Sequence, residues 1–99
     1  MVDDYYLEKS NRKNKKYMVH HIVDNKIRTI HFGDNRYESF ETHGNEERKK
    51  RYEVRHQNED WNNLQKAAAF SKWLLWNKPS LKASIKDMEK RYDIKIHII

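Results

Sequence analysis

The chain has 99 residues, 36% of them hydrophobic and 36% charged, with a formal net charge of +6; so short a chain makes one domain around one modest core. The absence of Cys excludes disulfides, thiolate metal sites and cysteine nucleophiles together, and no stretch approaches the roughly 20 apolar residues of a membrane-spanning helix. The excess of cations directs attention to anionic partners, nucleic acid or an acidic protein face, and no membrane partner is expected.

The N-terminal "MVDDYYLEK" is acidic and lacks the apolar stretch of a signal peptide, so a soluble protein working inside cells or particles is expected. Residues 1–16 include "EKSNRKNKK", polar and basic, with few groups to bury against the entropy of ordering them. They predict a flexible basic arm in which Lys13, Lys15 and Lys16 are available to an anionic surface, ahead of a single domain over residues 17–99.

"KYMVHHIVDNKIRTIHF" is rich in β-branched and aromatic residues and breaks at Asp24-Asn25, two residues that tolerate positive φ. A hairpin turning there sets Val19 opposite Ile30 and Tyr17 opposite Phe32. It gives one face Tyr17, Val19, His21, Val23, Arg28, Ile30 and Phe32, the better candidate for the core, and the other Met18, His20, Ile22, Ile27, Thr29 and His31. Gly33-Asp34 ends it, since Gly permits the chain to leave in a conformation other residues resist.

After a loop through "NRYESFETHG", "NEERKKRYEVRHQ" offers Asn45 as N-cap, Glu46 and Glu47 in the first turn and cations thereafter, the charge order a helix dipole favours. Arg48, Lys49, Arg51 and Arg55 lie within two to three turns, so this helix is a candidate to contact phosphates. The competing account is a solvated helix whose cations are balanced by Glu46, Glu47 and Glu53.

"EDWNNLQKAAAFSKWLLWNKP" predicts a second helix, apolar nearly all round in its latter half. Pro79 stops it, and Ser80 caps a last helix carrying Leu81, Ile85, Met88 and Tyr92 on one face. Of the three tryptophans, all within residues 61–76, core packing accounts for one or two and the remainder is expected at the surface, with Trp73 or Trp76 the candidate for an outward-facing protein interface. "IKIHII" closes the chain as a half-buried strand that adds to the hairpin. The fold class is therefore α+β: a small sheet of the hairpin and the C-terminal strand, packed against two or three helices.

Catalytic and metal chemistry find little footing. There is no G-x-S-x-G, no Gly-rich phosphate loop among two glycines, and no spaced pair of carboxylates in an evident pocket. His31 and Asp34 in "HFGD" resemble an acid/base pair only by proximity. His20 and His31, brought onto one face by the hairpin, make at most half a metal site, because closed sites need more ligands. No cofactor and no enzymatic activity are expected.

Residues 17–90, through "VHHIVDNKIRTIHFGDNRYESFETHGNEERKKRYEVRH", "EDW" and "FSKWLLWNKPSLKASIKD", resemble a family of small basic proteins encoded by large double-stranded DNA viruses and some phages, described only as uncharacterised or as candidate virion proteins. The resemblance is carried most by "IHFGD", "ERKKRYEVRH" and "LLWNKPSLKASI". It implies a viral origin and a place in the virion or host-cell interior, and no catalytic residues. The functional expectation is a non-enzymatic virion-associated protein contacting nucleic-acid phosphates, without sequence preference, or acidic protein surfaces. The alternative is a minor capsid or assembly protein that binds virion structural proteins or a second copy of itself through Trp73 and Trp76.

Overall fold

Asp24 and Asn25 both have positive φ, 51° and 65°, as the tight primed hairpin turn requires. They join β2 (Lys15–Val23) to β3 (Lys26–Asp34) in the register the sequence predicts, Val19 against Ile30 and Tyr17 against Phe32. This hairpin is the antiparallel half of a four-stranded sheet in a computed structural model that describes residues 3–99.

The other half corrects the arm expected over residues 1–16. Asp3–Lys9 is β1, an interior strand, antiparallel to β2 and parallel to β4 (Ile94–Ile98), in the order β3-β2-β1-β4. Tyr5 and Leu7 point inward with 4% and 1% of their surface exposed, while Asp4, Tyr6 and Glu8 alternate outward; burying a Tyr and a Leu supplies the free energy that a polar arm lacks. Only residues 10–14 remain as a loop, and Lys15 and Lys16 open β2. Met1 and Val2 lie outside the described residues. The C-terminal strand joins the sheet through β1 rather than through the hairpin.

The helices supply the other layer of this α+β fold, packing Phe70, Leu74, Leu75, Ile85 and Met88 against Tyr5, Leu7, Val19, Phe32, Ile94 and Ile96. Within the segment read as a loop, Phe40–His43 makes one helical turn, α1, closed by Gly44 at φ 61°. Then comes α2 (Glu46–Arg55), whose N-cap Asn45 accepts from the backbone N–H groups of Glu47 and Arg48, the capping its sequence predicts.

The next helix begins later than expected, at Ala67. In residues 57–66 the side chains of Asp60 and Asn63 accept from the backbone N–H groups of Asn62 and Gln65, local bonds that compete with helix formation. From there α3 (Ala67–Phe70) runs into a π-helical turn, Ser71–Leu75, ended by Trp76 N–H donating to Ser71 C=O at 3.1 Å. Ser80 caps α4 (Leu81–Tyr92), whose Ile85 and Met88 are buried. Among the described residues no helix is long and apolar enough to cross a membrane.

Gly33, at φ 80°, lets β3 pass under the π-helical turn: a Cβ there would sit 2.6 Å from Leu75 Cδ1 and 2.9 Å from Lys16 Cβ. This approach draws the base of the hairpin towards the helical layer and forms one wall of the cavity described next.

Candidate functional site

A cavity of about 790 Å³ opens between α2, the base of the β2–β3 hairpin, residues 34–39 and the start of α3. Six cations line it: Lys15, Lys16, Arg36, Arg48, Arg51 and Arg55, against three carboxylates, Asp34, Glu38 and Glu59. The helical spacing of Arg48, Arg51 and Arg55 places all three on the side of α2 that faces the opening. Tyr52, Leu75 and Trp76 line its aromatic and aliphatic interior.

The charge is not used up internally. Among the described residues Lys15, Arg48, Arg51 and Arg55 form no salt bridge, and Lys15, Arg51 and Arg55 are exposed. The other two cations are committed. Lys16 Nζ donates to Ser39 Oγ at 2.6 Å and lies 3.8 Å from Glu41; burial lowers its pKa against the pull of Glu41. Arg36 makes a two-point contact with Asp34, Nε to Oδ1 at 3.0 Å and Nη2 to Oδ2 at 2.8 Å. Those bonds, with one from the Arg36 backbone N–H, hold the Asp34 carboxyl at about 2.

The cavity's far wall depends on how α2 docks. Tyr52 is buried and stacks on Trp76, and His56 stacks on Tyr52 with centroids 4.3 Å apart while pairing with the Glu59 carboxylate. Burial pushes the Tyr52 phenol well above its ordinary pKa, so this ring is neutral throughout the physiological range. On the next helical row, Lys49 donates to Asn77 C=O at 2.8 Å and lies 4.8 Å from the Phe40 ring centre, and Glu53 pairs with Lys72 at 3.0 Å. Lys72 is itself only 4% exposed, with its ammonium against the rings of Trp61 and Trp73.

Of the residues singled out from the sequence, Lys15, Lys16, Arg48, Arg51 and Arg55 come together around this cavity. Lys13 is exposed on the β1–β2 loop and does not line it, and Lys49 is turned into the structure. Both candidate interface tryptophans are half-buried and engaged: Trp73 Nε1 donates to Trp61 C=O at 2.8 Å beneath the Arg91 guanidinium, and Trp76 lies between Tyr52 and His43. Sequence reasoning missed Arg36 and Tyr37. Their adjacency in "DNRY", a cation beside an aromatic in a turn, was the available signal.

The histidine pair is committed elsewhere. His20 bridges Glu8 Oε2 at 2.7 Å and Thr29 Oγ1 at 2.8 Å, and His31 Nδ1 shares a 2.7 Å bond with Ser10 Oγ. Among the described residues no group of three or more His, Asp or Glu side chains is arranged to hold a metal ion. Asp34, bound to Arg36, has no bond to His31. A second cavity, about 470 Å³ beside residues 62–65, carries a single cation, Arg28, which donates to Gln65.

Residues 5–56, just over half of the chain, match the model of a family of unknown function, DUF5754. The match takes in most of β1, the hairpin and α2, and so includes every cation of the large cavity. No curated protein and no solved structure matches the chain.

Proposed function

We propose that this chain, which belongs to the DUF5754 family, is a non-enzymatic protein that binds nucleic acid through its phosphates in the cavity between α2 and the hairpin base. The observation that carries the reading is the convergence of Lys15, Arg48, Arg51 and Arg55, from two elements distant in sequence, on one opening where cations outnumber carboxylates and where, among the described residues, these four form no salt bridge. Uncompensated cations on a folded surface repel one another; an anionic ligand turns that repulsion into attraction and releases counterions on binding. Backbone contacts of this kind carry no base information, so binding is expected without sequence preference. The setting we propose, following the resemblance drawn from the sequence, is a virion or the host-cell interior. The assembly reading has less support, because Trp73 and Trp76 already have partners within the chain.

The test is fluorescence anisotropy with labelled single-stranded and duplex oligonucleotides across about 50 to 300 mM salt. With four unpaired cations engaged, the log–log slope of affinity against salt should be about −3. Failure to bind either form at the lowest salt overturns the reading.

A further inference from the structure

We infer that the cavity selects single-stranded nucleic acid over duplex, with Tyr37 as the platform on which a base stacks. This rests on the phosphate-binding reading above and adds to it the form of the ligand and the residue that reads it.

Tyr37 lines the cavity and is 66% exposed. Its position is fixed by the chain around it: Tyr37 N–H donates to Asp34 C=O at 3.2 Å, and the Asp34 carboxylate holds both the backbone and the guanidinium of Arg36. That guanidinium lies 5.8 Å from the Tyr37 ring centre. An aromatic ring offered to solvent beside a cation, across an opening from three arginines, is the pairing of single-strand sites, in which cations follow the backbone and rings take the bases. A base in a duplex is stacked on its neighbours and has no free face to offer.

Size points the same way. Arg55 lies seven helical steps beyond Arg48, about 10 Å of rise, enough to follow a short run of phosphates. A volume of about 790 Å³ falls within the roughly 300 to 1,000 Å³ typical of small-ligand sites. It admits a few nucleotides of an extended strand, whereas a duplex, two strands wound together with their bases paired inside, is confined to the rim.

The experiment uses the full chain, a fluorescein-labelled oligothymidylate of about 15 nucleotides, an abasic oligonucleotide of the same length and a matched duplex as competitor. Tyr37→Ala should weaken oligothymidylate binding by roughly 5- to 100-fold, the range for loss of one stacking platform, and Tyr37→Phe should restore it. Both variants should bind the abasic strand as the parent does, and the duplex should compete poorly. Circular dichroism of Tyr37→Ala checks that the exposed position leaves the fold intact. Equal oligothymidylate affinity for parent and Tyr37→Ala, or a duplex that competes as well as the single strand, overturns this inference and leaves phosphate binding standing. Absence of binding to every probe overturns both.

Discussion

Tyr52 and Trp76 lie face to face, ring centroids 4.5 Å apart and planes 4° from parallel, and through this stack α2 is fastened to the helical layer. The remaining apolar residue of the helix, Val54, is 64% exposed. Trp76→Ala should therefore cost about 3 kcal/mol, the low end for truncating a buried aromatic, and loosen the wall that carries Arg48, Arg51 and Arg55. Urea titration gives the stability change, and Trp76→Phe should recover a large part of it.

Lys72 and Glu53 should respond asymmetrically. Glu53→Ala leaves an ammonium 4% exposed without its counter-charge and should cost about 2 kcal/mol, less than a fully buried pair because water reaches Glu53. Lys72→Met removes the buried charge and keeps the volume, leaving a carboxylate that solvent can reach; it should fall within about 1 kcal/mol of the parent. A larger loss for Lys72→Met than for Glu53→Ala would show that the ring contacts of the ammonium and its 3.2 Å bond to Trp76 C=O together outweigh desolvation.

Gly33→Ala should destabilise by at least about 1 kcal/mol. The new methyl group meets a left-handed backbone, Leu75 Cδ1 at 2.6 Å and Lys16 Cβ at 2.9 Å, so relieving it displaces the buried Leu75 side chain and the neighbouring strand. Thermal unfolding reads the loss. Gly44→Ala, whose added Cβ meets nothing nearer than Pro79 Cβ at 3.7 Å, isolates the backbone part.

Asp87 accepts from Asn77 Nδ2 at 2.7 Å, a bond that lowers its pKa below the ordinary 3.8, assisted by Arg91. In the window beneath 3.8 the unfolded chain takes up this proton first, so the stabilisation is present above that value and is lost as pH falls through the folded pKa. Asp87→Asn should therefore lower stability at about pH 6 and flatten the decline below about pH 4. Urea midpoints for the two proteins across that range supply the comparison.

The cleft cations should act additively on salt dependence and leave stability alone. Arg51→Gln and Arg55→Gln should each reduce the magnitude of the salt slope by about one, and the double charge reversal to Glu should abolish binding. Both side chains are exposed and, among the described residues, without ion pairs, so melting temperatures should stay within a degree or two of the parent. Lys49→Gln, by contrast, should affect stability more than binding, since its ammonium holds Asn77 C=O.

The hairpin, both well-capped helices and the cations of α2 were legible because their signals are local: Asp24-Asn25 for the turn, Asn45 and Ser80 for the caps, period two or near four for the buried face. The first strand was not, because what makes residues 3–9 a strand is pairing with residues 17–21 and 94–98, and its polar surroundings masked Tyr5 and Leu7. The late start of the helix at Ala67 followed from side-chain bonds of Asp60 and Asn63 that no periodicity records. The cavity is likewise tertiary: Arg36 joins the α2 arginines only once Gly33 has brought the hairpin base beside Leu75.

The parallel pairing of β1 with β4 has a mechanical consequence. Asp4 and His97, 93 residues apart in the chain, reach diagonally across this pair with a 2.8 Å bond between their side chains. Because the two strands run the same way, tension applied to the start of β1 and the end of β4 slides them past each other and loads all five paired positions at once. A protein pulled at those two points resists in shear, rather than unzipping one hydrogen bond at a time.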